Sequence, residues 1–185
     1  FAIAMAAELL TKDNFSGDDV ARWASEQAAL SRHGLSKSPQ LLPGIGGALP
    51  SHQVDQVSML NYRTGSQFSA YSMRGSTDDL IRLLQEDDKL AIVTVQWSSG
   101  NPTNSHAMVV AAYDPAHKNR AGTYKPWGFL TSYQPDESPG HLKWLTDKDF
   151  QKFWGNWGWM RIIGPFNHDL SWLIGDENMI VISAP

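Results

Sequence analysis

Cysteine is absent from the 185 residues of this chain. Its absence excludes disulfide bonds and thiolate-ligated metal sites within the sequence. An excess of positive charge is also missing, because 15 Lys and Arg residues stand against 19 Asp and Glu residues and give a net charge of −4. Proteins that bind nucleic acids through the phosphate backbone present a basic surface. We therefore expect no nucleic-acid partner.

Long hydrophobic runs and the common catalytic motifs are missing as well. No stretch approaches the roughly 20 apolar residues that a membrane-spanning helix needs, so we expect no membrane span. The sequence has no phosphate-binding glycine loop, no Gly-x-Ser-x-Gly elbow and no His-Glu-x-x-His helix. Its six histidines include no pair spaced by four residues, the spacing that places two ligands on one face of a helix. We therefore expect no metal and no cofactor.

The composition and the order of the predicted elements indicate a globular α+β protein. Apolar residues make up 42% of the chain and charged residues 18%, which is typical of a domain that buries a substantial core. Helical periodicity dominates residues 1–65, and apolar β-rich runs dominate residues 66–185. Helices first and strands later favour an α+β domain over a doubly wound parallel sheet. We predict one domain over residues 1–185.

Capping residues and changes of period mark the individual elements. Asp18 or Asp19 can cap the second helix, Ser76 and Asp79 form a near capping box, and Thr146 caps the last helix. The predicted helices cover residues 1–10, 18–31, 51–62, the segment GSTDDLIRLLQEDDKL and residues 146–154. The predicted strands cover residues 68–73, 90–97, 106–114, 127–134 and 178–184.

His106 stands at the opening of an unbroken apolar strand, HAMVVAAYD. In one interpretation it is a structural histidine at the end of a strand, and its ring forms hydrogen bonds with a neighbouring group. In the other it is a general base whose position is set by the strand behind it. The residue alone leaves both interpretations open.

The segment STDDLIRLLQEDDKLAIVTVQWSSGNPTNSHAMVVAAYDP resembles the central part of papain-like cysteine peptidases, notably the bacterial bacteriocin-processing type. In that family the catalytic His opens a strand between two glycines, and here Ser105 and Ala112 replace those glycines. The opening FAIAMAAELL resembles the central helix of the family, and HLKWLTDKDFQKFWGNW resembles its aromatic-rich late segment. The resemblance implies a papain-like fold, with a helical N-terminal part packed on a mainly antiparallel sheet.

The resemblance also implies a division of catalytic roles. A Cys at the N-terminus of the central helix attacks the substrate carbonyl, because the helix dipole lowers the pKa of its thiol. His106 acts as base and then as acid, and a residue on the next strand orients its ring. The family has Asn or Asp before Pro at this third position, whereas this sequence has Gln134, with Asp136 as the fallback. Because the chain contains no Cys, we expect the nucleophile to lie upstream of Phe1.

Eight tryptophans are many for a chain of this length. Most tryptophans in such numbers fill a core. Alternatively, Trp97, Trp154 and Trp157 wall a substrate cleft near His106, as aromatic residues do in related peptidases. The resemblance implies a peptide or protein substrate and no cofactor. Its bacterial members are often secreted or associated with the cell envelope.

The sequence therefore leaves three functions open. The first is a papain-like peptidase, amide hydrolase or acyltransferase. The second is a binding or scaffold module that kept the fold without the chemistry, which the missing Cys, Gln134 and the Trp-rich tail favour. The third is a cell-wall amidase or toxin-type relative with the same Cys–His arrangement.

Overall fold

The computed structural model describes residues 2–23, 50–96, 105–131, 142–154 and 178–185. The helices are α1 (Ala2–Thr11), α2 (17–23), α3 (Pro50–Thr64), α4 (Thr77–Leu83) and α5 (Asp147–Trp154). The strands are β1 (Ser69–Arg74), β2 (Lys89–Gln96), β3 (Ser105–Tyr113), β4 (Trp127–Leu130), β5 (Lys143–Leu145) and β6 (Asn178–Ser183). Helices and an antiparallel sheet together confirm the α+β class.

The sheet has the strand order β1-β6-β2-β3-β4-β5. Every neighbouring pair is antiparallel. The strands β2, β3 and β6 lie inside this order and are apolar on both faces, because helices cover the sheet on both sides. This is the arrangement that the apolar runs LAIVTVQW and HAMVVAAYD predict.

Alternate residues of the central strands pack into two cores on opposite faces of the sheet. On one face, Ile92 and Val109 pack with α1 and α3. On the other face, Val93 and Met108 pack with α4 and α5. The alanine-rich α1 buries half of its ten residues, and its small side chains allow the helix to lie close to the sheet. The prediction of a buried first helix is confirmed.

Side-chain caps begin three of the helices. Ser76 and Asp79 form the reciprocal capping box at the start of α4, and Thr146 Oγ1 accepts a hydrogen bond from Asp149 N at 3.0 Å before α5. Both were predicted. The prediction for α2 was wrong: Ser16 Oγ accepts from Asp19 N at 3.3 Å. The helix begins at residue 17, so Asp19 already lies within its first turn.

Strand boundaries also depart from the sequence prediction. β4 ends at Leu130, earlier than the predicted residue 134, and the described chain after it continues as non-strand backbone at Thr131. The short strand β5 was not predicted, because its three residues are too few to show a period of two. The predicted helical residues 24–31 lie outside the described residues.

Replacing Ser76 by Ala should lower the free energy of unfolding by about 1 kcal/mol. The change removes the acceptor of the Asp79 N–H at 3.2 Å and the hydroxyl that donates to the Asp79 carboxylate at 2.7 Å. Urea denaturation measures the loss. Ser72→Ala on the exposed face of β1 is the control, and we expect it to change stability by less than about 0.5 kcal/mol. Equal losses in the two variants would contradict a capping role.

Candidate functional site

His106 is the second residue of β3, and it pairs with Val95 near the end of β2. The ring is half-buried. Antiparallel pairing places the start of β3 beside the end of β2 and the end of β4. The imidazole therefore stands at one end of the sheet, where three central chain segments meet.

A threonine hydroxyl holds one nitrogen of this ring. His106 Nε2 lies 2.6 Å from Thr131 Oγ1, a hydrogen-bond distance for these atoms. Thr131 directly follows β4 and is half-buried. No sequence motif marks this residue. Its one signal in the sequence is its position at the end of the strand that follows the His-bearing strand. Many polar residues occupy such positions, so the signal is weak.

The positively charged Lys143 lies on the same face of the sheet as His106 and Thr131. Lys143 opens β5 and pairs with Phe129 of β4, which places its side chain on the face of the sheet that Phe129 faces. Thr131 is two residues after Phe129, so alternation assigns it the same face. His106, Thr131 and Lys143 thus form a row across β3, the end of β4 and β5.

The surroundings of His106 favour its neutral form. Burial is the main cause that lowers its pKa below the ordinary value, and the positive charge of Lys143 lowers it further. A neutral ring carries the lone pair that a general base requires.

The strand register sets which face His106 occupies. Because side chains alternate along a strand, His106 shares a face with Met108 and Val110, which pack in the core of α4 and α5. Ala107 and Val109 face the other way and pack in the core of α1. The imidazole therefore lies on the face opposite the one that α1 covers.

Of the other predicted site residues, Trp154 alone lies within the described ranges. Trp154 is on the same face as His106 but only 2% exposed, and its Nε1 donates to the carbonyl of Asn178 at 3.0 Å. Its ring stacks on Phe150 with centroids 5.2 Å apart. Trp154 therefore fills the core, which is the alternative to a cleft wall. The remaining four, Trp97, Gln134, Asp136 and Trp157, lie outside the described residues.

A cavity of about 290 Å³ lies elsewhere on the molecule, beside α2 and the end of α3. Phe15, Trp23, Leu60 and Asp19 are among its lining residues. The cavity includes none of the row of His106, Thr131 and Lys143.

Within the described ranges, no group of three His, Cys, Asp or Glu side chains converges to hold a metal ion. None of the described helices combines the length and apolar character needed to cross a bilayer.

Replacing Lys143 by Met should raise the pKa of His106, because it removes a positive charge that disfavours the imidazolium. A titration of the histidine ring protons by NMR measures this. Lys148→Met on the exposed side of α5 is the control and should leave the His106 pKa where it is. An unchanged His106 titration in Lys143→Met would contradict the electrostatic coupling.

The lowered pKa of His106 in the wild type also predicts that the stability of the protein depends on pH. Because the His106 pKa is lower in the folded than in the unfolded chain, the neutral ring favours folding above the unfolded pKa. That contribution is lost as the pH falls through the folded pKa. Urea denaturation at pH 7 and pH 5 should show a smaller acid loss in Lys143→Met than in the wild type.

Comparison of the chain with models of known protein families, with curated proteins and with solved structures finds no match.

Proposed function

We propose that this chain carries the acid–base part of a papain-like cysteine peptidase, amide hydrolase or acyltransferase, whose nucleophilic Cys precedes Phe1. One observation carries the proposal: a half-buried imidazole at the opening of β3, anchored through Nε2 to Thr131 at 2.6 Å. The packing of α1 with Val109 and Ala107 of the strand that carries His106 supports a nucleophile near the front end of α1. The substrate class is a peptide or another carboxamide.

The proposed reaction has two halves. The thiol proton moves to His106 as sulfur bonds to the carbonyl carbon, and the ring then donates this proton to the departing amine. The acyl group remains on sulfur as a thioester. In the second half, the water oxygen bonds to the carbonyl carbon as His106 takes its proton. The C–S bond then breaks to release the carboxylic acid, and His106 returns the proton to sulfur. With an amine in place of water, the same steps transfer the acyl group.

The charge environment decides how the nucleophile is activated. A preformed thiolate–imidazolium pair needs a ring that holds its second proton in the resting state. Burial and Lys143 both lower the pKa of His106 and oppose that form. We therefore propose general-base activation, in which the proton leaves the thiol during the attack on the carbonyl.

The test uses the protein expressed from its natural start codon. Its sequence first shows whether a Cys lies shortly before Phe1. Iodoacetamide labelling followed by peptide mass mapping then measures the reactivity of that Cys, and a library of internally quenched peptides measures turnover. A labelled Cys together with turnover that labelling abolishes supports the proposal. No Cys before Phe1, or turnover that survives complete labelling, overturns it.

A second candidate is a catalytically inactive binding or scaffold module with a related architecture. The observation that favours it is the strand register, because His106 lies on the face opposite the one on which α1 packs. The same library separates the two candidates. An inactive module binds peptides in fluorescence polarisation without cleaving them, and the binding is insensitive to iodoacetamide.

A further inference from the structure

We infer that the cavity beside α2 is a binding site for a small organic amine, whose ammonium group meets carboxylates and whose apolar body packs on aromatic side chains. The cavity has a volume of about 290 Å³, close to the lower end of the roughly 300–1,000 Å³ that ligand pockets span. It shares no residue with the row of His106, Thr131 and Lys143. The inference is therefore independent of the proposed function.

Helical spacing builds two walls of the cavity. Ser16, Asp19 and Trp23 are separated by three and four residues, so they lie on one side of α2. Leu60 and Thr64 are four residues apart and lie on one side of α3 near its end. All five residues line the cavity. Each wall is thus one face of a helix, which gives the cavity a fixed shape.

The third wall is the connection from α1 to α2. Lys12 follows the last residue of α1 with a φ of 63°, and its N–H donates to the carbonyl of Glu8 at 2.7 Å. A left-handed residue at this position ends a helix and turns the chain. The N–H of Asp13 then donates to Thr11 Oγ1 at 3.2 Å. This turn sets the Asp13 side chain in the lining of the cavity.

The apolar part of the cavity is formed before any ligand binds. The ring of Phe15 meets that of Phe68 edge to face, with centroids 5.9 Å apart. Phe15 and Trp23 are half-buried and pack against the core of α1 and α3, and Leu60 is fully buried in it. Aromatic rings held in this way bind an apolar body at little cost in conformational entropy. Their faces also attract a nearby cation.

The charge of the lining selects the sign of the ligand. Asp13 and Asp19 line the cavity, and no Lys, Arg or His is among its lining residues. Asp19 pairs with Arg22 at 2.5 Å, which offsets part of its charge. Asp13 is exposed, and no other residue of the described ranges engages its carboxylate. An ammonium group therefore gains a carboxylate partner in the cavity, whereas an anion is repelled.

Three probes of nearly the same shape separate charge from apolar fit. At pH 7 phenethylamine is a cation, phenethyl alcohol is neutral and phenylacetate is an anion. Titration of the full chain followed by ¹H–¹⁵N NMR measures each dissociation constant and locates the site. We expect phenethylamine to bind with a dissociation constant on the order of 1 mM, with shifts at Asn14, Ser66 and the Trp23 indole. The alcohol should bind about two- to fivefold more weakly, and phenylacetate more weakly still.

Asp13→Asn removes the charge and keeps the size of the side chain. Asp87→Asn, in the exposed turn before β2, is the matched control because it changes the net charge equally. Asp13→Asn should weaken phenethylamine binding by about two- to fivefold, the range for an exposed ion pair, and leave the alcohol unaffected. Asp87→Asn should alter neither. Trp23→Leu should weaken the binding of both probes, because both lose the aromatic surface.

The outcomes that overturn the inference are equally specific. Equal affinities for phenethylamine and phenylacetate would show that the carboxylates do not select the ligand. Equal effects of Asp13→Asn and Asp87→Asn would show that only the net charge of the chain attracts the amine. Shifts confined to residues outside the cavity, or no shift with any probe, would show that the cavity is not a binding site. Asp13 is exposed, so we expect its variant to fold and the comparison to be measurable.

Discussion

His106→Ala should abolish acyl transfer in the full-length protein, with kcat lower by roughly 10²–10⁴-fold. The reason is that both proton transfers of the proposed reaction pass through this ring. The substrate is the peptide selected from the library, and mass spectrometry measures the thioester directly. We expect no thioester in His106→Ala, because an un-ionised thiol without a base attacks the carbonyl poorly.

The matched control removes a different imidazole. His117 stacks on Trp144 with ring centroids 3.8 Å apart, in the connection that follows β3. His117→Ala should keep its turnover, apart from any loss that follows from lower stability. Circular dichroism and urea denaturation confirm that both variants fold. Undiminished thioester formation in a folded His106→Ala protein would refute the acid–base role.

Phe150→Ala should lower the free energy of unfolding by about 3–5 kcal/mol, the range for truncating a large buried aromatic side chain. Phe150 is 0% exposed. Its ring centroid lies 4.9 Å from that of Trp127 and 5.0 Å from that of Phe129. The truncation opens a cavity between α5 and the sheet, and the rigid indole and phenyl rings around it can collapse only partly.

Phe153→Ala provides the comparison within the same helix. Phe153 is half-buried at the edge of this core, so its truncation removes less apolar contact and should cost clearly less. Urea denaturation with an unchanged m-value measures both losses. Equal losses in the two variants would contradict the central place of Phe150 in the core of α4 and α5.

Much of the fold was predictable because its signals are local. The apolar helix α1, the strands β2 and β3, and the Ser76 capping box each depend on residues within one element or one turn. The cap of α2 was mispredicted because Ser16 and Asp19 lie three residues apart. Both have side-chain oxygens that can accept a hydrogen bond from a backbone N–H, so the sequence does not show which of them is the cap. The strand β5 was missed because three residues carry no measurable period.

The candidate site was predictable only in part. His106 stood out because it interrupts an apolar pattern, which is again a local signal. Thr131 lies 25 positions further along the chain, and no pattern in the intervening residues indicates contact. The family resemblance implies the orienting role for Gln134 or Asp136, and no signal in the sequence marks a hydroxyl at the end of β4.

The order of residues by itself determined that His106 shares a face of its strand with Met108 and Val110, because side chains alternate in extended backbone. It also determined that the apolar segment of α1 forms a buried helix. Only the tertiary structure decided which face each helix covers, which strands are neighbours, and hence that Thr131 and Lys143 stand beside the ring. Those choices depend on the packing of segments distant in sequence, and local propensity carries no information about them.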